Sequence, residues 1–398
     1  MAEQTYPCCM PMVDFNLQAT GEQNLPDANA AGRARRCAVY RGAAVALIVL
    51  SAMAGAAETD DSVAPRAAVT AAFSEHDPDS TIELNHSMWE GFLSKTVIFA
   101  GRSSQRLSRG HKRVWIGSRM RFGNDLPSRY ENNRLVLGKF DDAHLELVRE
   151  YRRALESVPE QLPLASLNRD EQLAYWLNLY NAHAVEHVAA HYPETTTEAL
   201  RSAPGEEPAG VWHQRTLNVA GVSLSLVDIE REILFPIWDD SLVLYGLWQG
   251  AIGGPRLPQR AYTGDRVRQM LRKNAVEFVN SNRATDPDGD VVEVSLMYGW
   301  GQSLFDGPEA IRRHILGLVR APFSIGLNDS QRVEIDRYDW HLADLSGGSH
   351  HRGQWNNTAA FVNALGPGGR DQAFANLAQL RDETHRGLPA LSMNLLKN

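Results

Sequence analysis

Cysteine is all but missing from this chain. Cys8, Cys9 and Cys37 all precede residue 38, so nothing from Ala38 to Asn398 can supply a thiol. That excludes a disulfide-stapled scaffold or a thiolate metal site from the body of the chain. Apolar runs long enough to cross a bilayer are lacking too, since Ala43 to Leu50 falls well short of the roughly 20 residues required. Net positive charge is absent: the formal charge is -8, and bulk attraction to nucleic acid is not expected. No P-loop, G-x-S-x-G elbow, dinucleotide fingerprint or solenoid repeat occurs, and no cofactor is expected.

What is present begins with a leader. Arg33, Arg35, Arg36 and Arg41 precede the apolar run, and Ala54-Gly55-Ala56-Ala57 follows it. Basic flank, short apolar stretch and small-residue cleavage site read as a signal peptide over 1–57, with a long lead-in before Arg33. Ala57-Glu58 stands where a lipid anchor would need cysteine. The expectation is export to the periplasm or outside a bacterial cell, without stable membrane insertion after cleavage. An Ala/Asp/Pro-rich linker is expected over 58–81, a single large domain over 82–345, and a helical tail over 346–398, with helices around Ala359 and Phe374. One segment breaks the charge pattern: nine Lys/Arg lie between Arg102 and Arg134 against Asp125 and Glu131. It reads as a solvated surface excursion or a patch for an anionic partner.

Periodicity places the elements. Trp89, Phe92, Leu93 and Val97 recur at helical spacing behind Asn85, and Asp141 to Val158 carries Leu145, Val148, Tyr151 and Leu155 on one face. Asn168-Arg169-Asp170-Glu171 reads as a capping box opening a core helix that Pro193 closes. Thr216–Val219 and Val222–Leu224 flank Ala220-Gly221 as a hairpin, and Ser225 with Asp228 caps the next helix. Ser241 to Leu247 reads as a buried strand that empties into the Gly-rich turn Gln249–Pro255. A helix is expected over 264–280, and strands over 291–297 and 333–338. Helices and strands interleave without a βαβ rhythm, which argues for an α+β fold.

Three patterns touch on chemistry. His183-Ala184-Val185-Glu186-His187 spells the H-x-x-E-H of a zinc peptidase helix, but no third ligand is marked, and hydrogen-bonded core histidines are commoner. No metal is therefore expected. Glu230 falls near the centre of the stripe Leu226, Ile229, Ile233, Leu234, so it must be paired, hydrogen-bonded or protonated; Arg231, His213 or an asparagine of the core helix are the candidate partners. Asp286-Pro287-Asp288-Gly289-Asp290 has its glycine too early for an EF-hand loop and reads as a turn.

From about Asn85 to Asp344 the chain resembles the domain of unknown function 547 family. The stretches that carry this are His86–Trp89, Asn168 to Ala182 (NRDEQLAYWLNLYNA), Leu224 to Glu230 (LSLVDIE), Ala261–Gly264 and Tyr338–Trp340. Members of that family look similar to papain- or transglutaminase-like cysteine peptidase folds, which implies a Cys–His pair. The Cys position reads Gln249, the His position Arg231, and a second Cys position Gly254. Glutamine has no nucleophile and arginine cannot act as a base near neutral pH. The resemblance therefore implies a non-catalytic envelope protein binding an anionic, glycan or peptide ligand, its cleft lined by Glu230, Arg231, Trp248, Gln249 and Asn181. Two alternatives stand beside it: a hydrolase built on Glu230 with Asp239 or Asp240, and a structural envelope protein docking through the basic segment.

Overall fold

A computed structural model describes residues 66–103, 131–194, 196–202, 210–321 and 326–345. The leader, most of the basic segment and the two tail helices fall outside the described residues. The chain enters with α1 (Arg66–Ala72), then α2 (Ser87–Thr96), β1 (Ile98–Gly101), β2 (Asn132–Arg134), α3 (Asp142–Gln161) and α4 (Arg169–Ala190). The stretch expected as linker thus holds a helix: Val69 and Phe73 are buried in the core, and Thr70 Oγ1 donates to Glu232 O at 2.6 Å.

Helix α4 organises everything else. It is buried from Glu171 to Val185 on every face, as a helix is when it has no side left for solvent. Its neighbours are largely irregular backbone, whose N–H and C=O groups cannot be left unpaired in the interior. The polar side chains of α4 pair them. Asn178 donates to Tyr262 O at 2.8 Å and accepts from Tyr262 N at 3.0 Å. Asn181 donates to Gly246 O at 2.9 Å and accepts from Trp248 N at 3.0 Å. Gln172 donates to Glu75 O and Leu164 O, each at 2.7 Å. Asn168 caps the helix by accepting from Glu171 N at 2.9 Å, but the other half of the expected box is not made. The Glu171 carboxylate accepts instead from Leu84 N at 2.7 Å and Gly264 N at 2.9 Å.

The hairpin β3 (Leu217–Val219) and β4 (Val222–Leu224) forms as expected, with φ of 51° at Ala220 and 81° at Gly221. Both central residues lie in the left-handed region, as a two-residue hairpin loop requires. Ser225 and Asp228 then make a full capping box for α5 (Leu226–Asp228). A π-helical stretch follows over Ile229–Leu234, and α6 (Phe235–Trp238) completes the run.

The expected strand at Ser241 to Leu247 is a correction. Ser241–Gly246 is a 3-10 helix, started by Asp240, whose carboxylate accepts from Leu242 N at 2.9 Å. An apolar run of this length does not by itself distinguish a strand from a buried helical turn. Packing decides here: a Cβ on Gly246 would lie 2.7 Å from Leu271 Cδ2 and 2.8 Å from Leu177 Cδ2. The segment is wedged between α4 and α7 (Val267–Val279), with Asn181 standing in for a ladder.

The last sheet pairs β5 (Thr285–Asp288) antiparallel to β6 (Val291–Ser295). After α8 (Met297–Trp300) and α9 (Gly307–Leu316), β7 (Arg332–Arg337) pairs parallel to β6. The Asp-rich run is a hairpin turning at Gly289, φ 58°, and the Asp286 carboxylate binds Arg337 at 2.9 Å. Small sheets among packed helices make the fold α+β. Arg134, at the end of the expected surface patch, is instead buried, and burial together with the charge of Arg283 pulls its pKa down to about 9. Among the described residues no helix is long and apolar enough to cross a membrane.

Candidate functional site

Glu230 sits within the π-helical stretch, a local geometry often found at functional positions. It is 1% exposed and fully engaged. Arg201 grips it through both guanidinium nitrogens, Nη1 to Oε1 at 2.8 Å and Nη2 to Oε2 at 2.6 Å. Tyr180 Oη donates to Oε1 at 2.6 Å, and Gln249 Nε2 approaches Oε1 at 3.3 Å. Gln249 also donates to Tyr180 Oη at 2.8 Å and accepts from Arg201 Nη1 at 2.5 Å. Trp212 Nε1 donates to Tyr180 Oη at 3.2 Å.

Burial alone would push the Glu230 carboxyl up, but the charge of Arg201 and the hydrogen bonds from Arg201, Tyr180 and Gln249 overcome it and hold the group below the usual range. Burial and the neighbouring carboxylate raise the Tyr180 phenol. The result is a permanent carboxylate–guanidinium pair inside a closed hydrogen-bond network.

In front of this network lies a pocket of about 640 Å³, lined by residues including Thr196, Glu198, Arg201, His213, Arg231, Trp300 and Trp340. Its volume is in the ordinary range of small-molecule sites. The Arg201 guanidinium lies 4.1 Å from the centre of the Trp300 ring, so one side chain closes the pocket floor and the buried network at once. Trp300 also meets Tyr338 and Trp340, with ring centres 5.0 Å and 5.8 Å away.

Of the residues expected to line the cleft, the structure brings Glu230 and Gln249 together behind it. Arg231 is exposed and lines the pocket, but it is not a partner of Glu230. Neither is His213 or Asn181: His213 lines the pocket, and Asn181 clamps Gly246 and Trp248. Trp248 is 2% exposed and packs in the core. The partner that sequence reasoning missed is Arg201, 29 residues upstream in a 3-10 turn (Glu198–Arg201) with no periodic signature. Trp300, Glu198 and Tyr180 were missed as well; for Tyr180 the available signal was a phenol on a helix with no solvent face.

The positions implied as reactive do not form a pair. Gln249 is held by Tyr180, Glu230 and Arg201, while Arg231 points into the pocket. A Cβ on Gly254 would stand 3.5 Å from Gln249 Cβ, the separation of two disulfide-linked cysteines. In this fold the two implied Cys positions are therefore adjacent. Asp240 caps its own 3-10 helix and pairs with Arg268 at 2.9 Å, and exposed Asp239 ends α6, so neither joins Glu230.

The H-x-x-E-H helix also resolves into internal bonding. His183 Nε2 lies 3.0 Å from His187 Nε2 and 2.8 Å from Thr216 Oγ1, while Arg149 and Arg152 hold Glu186. Burial raises the Glu186 carboxyl, but His183 and Arg152 bring it down to about 2. Burial and the charge of His183 pull His187 down to about 3. Among the described residues no three His, Cys, Asp or Glu converge as a metal site.

Residues 164–279 match the family model described as "Protein of unknown function, DUF547". No curated protein and no solved structure matches the chain.

Proposed function

The domain over residues 164–279 belongs to the DUF547 family, and from that premise we propose that the chain is an exported, non-catalytic binding protein of the bacterial envelope, taking a glycan or peptide in the pocket in front of Arg201. Its fold in this reading is a papain- or transglutaminase-like one that has lost the thiol chemistry. The observation that carries the reading is the state of Glu230. Both oxygens are occupied, its charge is neutralised by Arg201, and Gln249, where the resemblance implies a nucleophile, is bonded into the same network. A general acid needs a proton to give, and a general base needs a free lone pair aimed at substrate. Glu230 offers neither, and neither Asp239 nor Asp240, the partners that the hydrolase alternative names, joins it.

The pocket keeps what recognition needs: partly exposed indoles, an arginine, a carboxylate and a histidine in one concave wall. A thermal-shift screen of the protein against envelope oligosaccharides and peptides tests the reading. A ligand that binds only the native state raises the midpoint. The expected result is a rise for one chemical class that disappears in Trp340→Ala. Product formation with any of these compounds would favour the hydrolase instead.

A further inference from the structure

The pocket wall carries two opposite charges that neither neutralise each other nor pair with anything else among the described residues. Arg231 projects from the π-helical stretch, Glu198 opens the 3-10 turn on the other side, and both are exposed. His213 lines the same pocket, and burial followed by the charges of Arg201 and Arg231 lowers its pKa.

A single carboxylate donor–acceptor pattern explains this set. An arginine without a carboxylate partner suits an anionic group on the ligand. A carboxylate across the pocket suits neighbouring hydroxyls, which donate two hydrogen bonds to its two oxygens. Two partly exposed indoles, Trp300 and Trp340, suit the flat C–H face of a pyranose.

An extended peptide fits less well. Peptides recognised by strand addition need an unpaired backbone edge. The segment Trp340 to Ala343 beside the pocket has none: on one side Thr196 pairs with His341 and Thr197 N donates to Trp340 O at 2.9 Å, and on the other Ile252 N donates to His341 O at 2.8 Å and Ala343 N to Gly250 O at 2.7 Å.

Building on the binding reading above, we infer that the ligand is a hexuronic acid unit of a glycan, with Arg231 holding its carboxylate, Glu198 its vicinal hydroxyls, and Trp300 with Trp340 its ring face. Isothermal titration of the full chain tests this with D-glucuronate and D-galacturonate, free and as trisaccharides, against D-glucose, D-galactose and maltotriose, and against an N-acetylated dipeptide. The uronates should bind at least about tenfold tighter than the neutral sugars. Arg231→Gln should lower uronate affinity to that of the neutral sugars; Glu198→Gln should weaken both sugar types; circular dichroism confirms that each variant is folded. Equal affinity for neutral sugars and uronates, or no effect of Arg231→Gln, overturns the carboxylate anchor and leaves the binding reading standing. Binding of the dipeptide alone overturns the sugar assignment. If no saccharide and no peptide binds, the binding reading itself fails and the inference goes with it.

Discussion

At the scale of single residues, Glu230 is a fully buried carboxylate gripped by both guanidinium nitrogens of Arg201. Its place in an apolar stripe requires a buried, satisfied carboxylate, and the structure has one. The identity of the partner depends on a turn 29 residues away, brought in by tertiary packing that no local pattern encodes. Removing Arg201 leaves a buried carboxylate without its cation, so Arg201→Ala should cost about 3–5 kcal/mol in urea unfolding. Arg201→Met combined with Glu230→Leu should recover much of that loss, because no charge remains buried. A change below about 0.5 kcal/mol for Arg201→Ala would show that the pair carries no structural weight.

At the scale of elements, the core helix was legible because its cap and its length of apolar sequence agree. What its polar residues do was not. Glu171, Gln172, Asn178 and Asn181 look in sequence like interruptions of a hydrophobic face, yet each satisfies backbone that has no regular ladder. The same bonding explains why Ser241–Gly246 is not a strand: Asn181, from a distant segment, supplies the partner a strand would have sought. Asn181→Ala should orphan Gly246 O and Trp248 N and lower stability by about 2–3 kcal/mol, measured by chemical denaturation. A loss under about 1 kcal/mol would mean that solvent reaches those groups. The hairpin offers the opposite sign. Ala220 holds a left-handed conformation that costs a Cβ-bearing residue about 1 kcal/mol and that asparagine tolerates, so Ala220→Asn should raise the thermal midpoint.

At the scale of the whole molecule, two half-buried imidazoles set a pH dependence. Burial, with the charge of His183 next, holds His187 at about 3, and burial holds His314 at about 4, where it bridges Ser241 and Tyr245. In the unfolded chain both take up protons near pH 6.5. Between about 6.5 and 4 the unfolded state therefore binds more protons than the folded one, and stability falls as pH falls through that interval. From pH 7 to pH 5 each group accounts for a loss of up to about 2 kcal/mol. Urea midpoints at the two pH values should show it, and His314→Asn should reduce the slope. A midpoint flat from pH 7 to pH 5 would contradict the burial of these rings.

The fold class, the long helices α2, α3, α4 and α7, the hairpin and the strands β6 and β7 could be read from periodicity and caps; α1, α9, β1, β2 and β5 could not, nor could the pocket, because its lining comes from separate short turns between Thr196 and Trp340. Its central claim is that this cleft binds without cutting, and mass spectrometry of the compounds recovered after prolonged incubation with the protein tests it most directly. The account predicts that uronate oligosaccharides and peptides return intact, and that the oligosaccharides are retained by the native protein and lost in Arg231→Gln. Cleaved products that form with the native protein and vanish with Glu230→Gln or Gln249→Ala would contradict it.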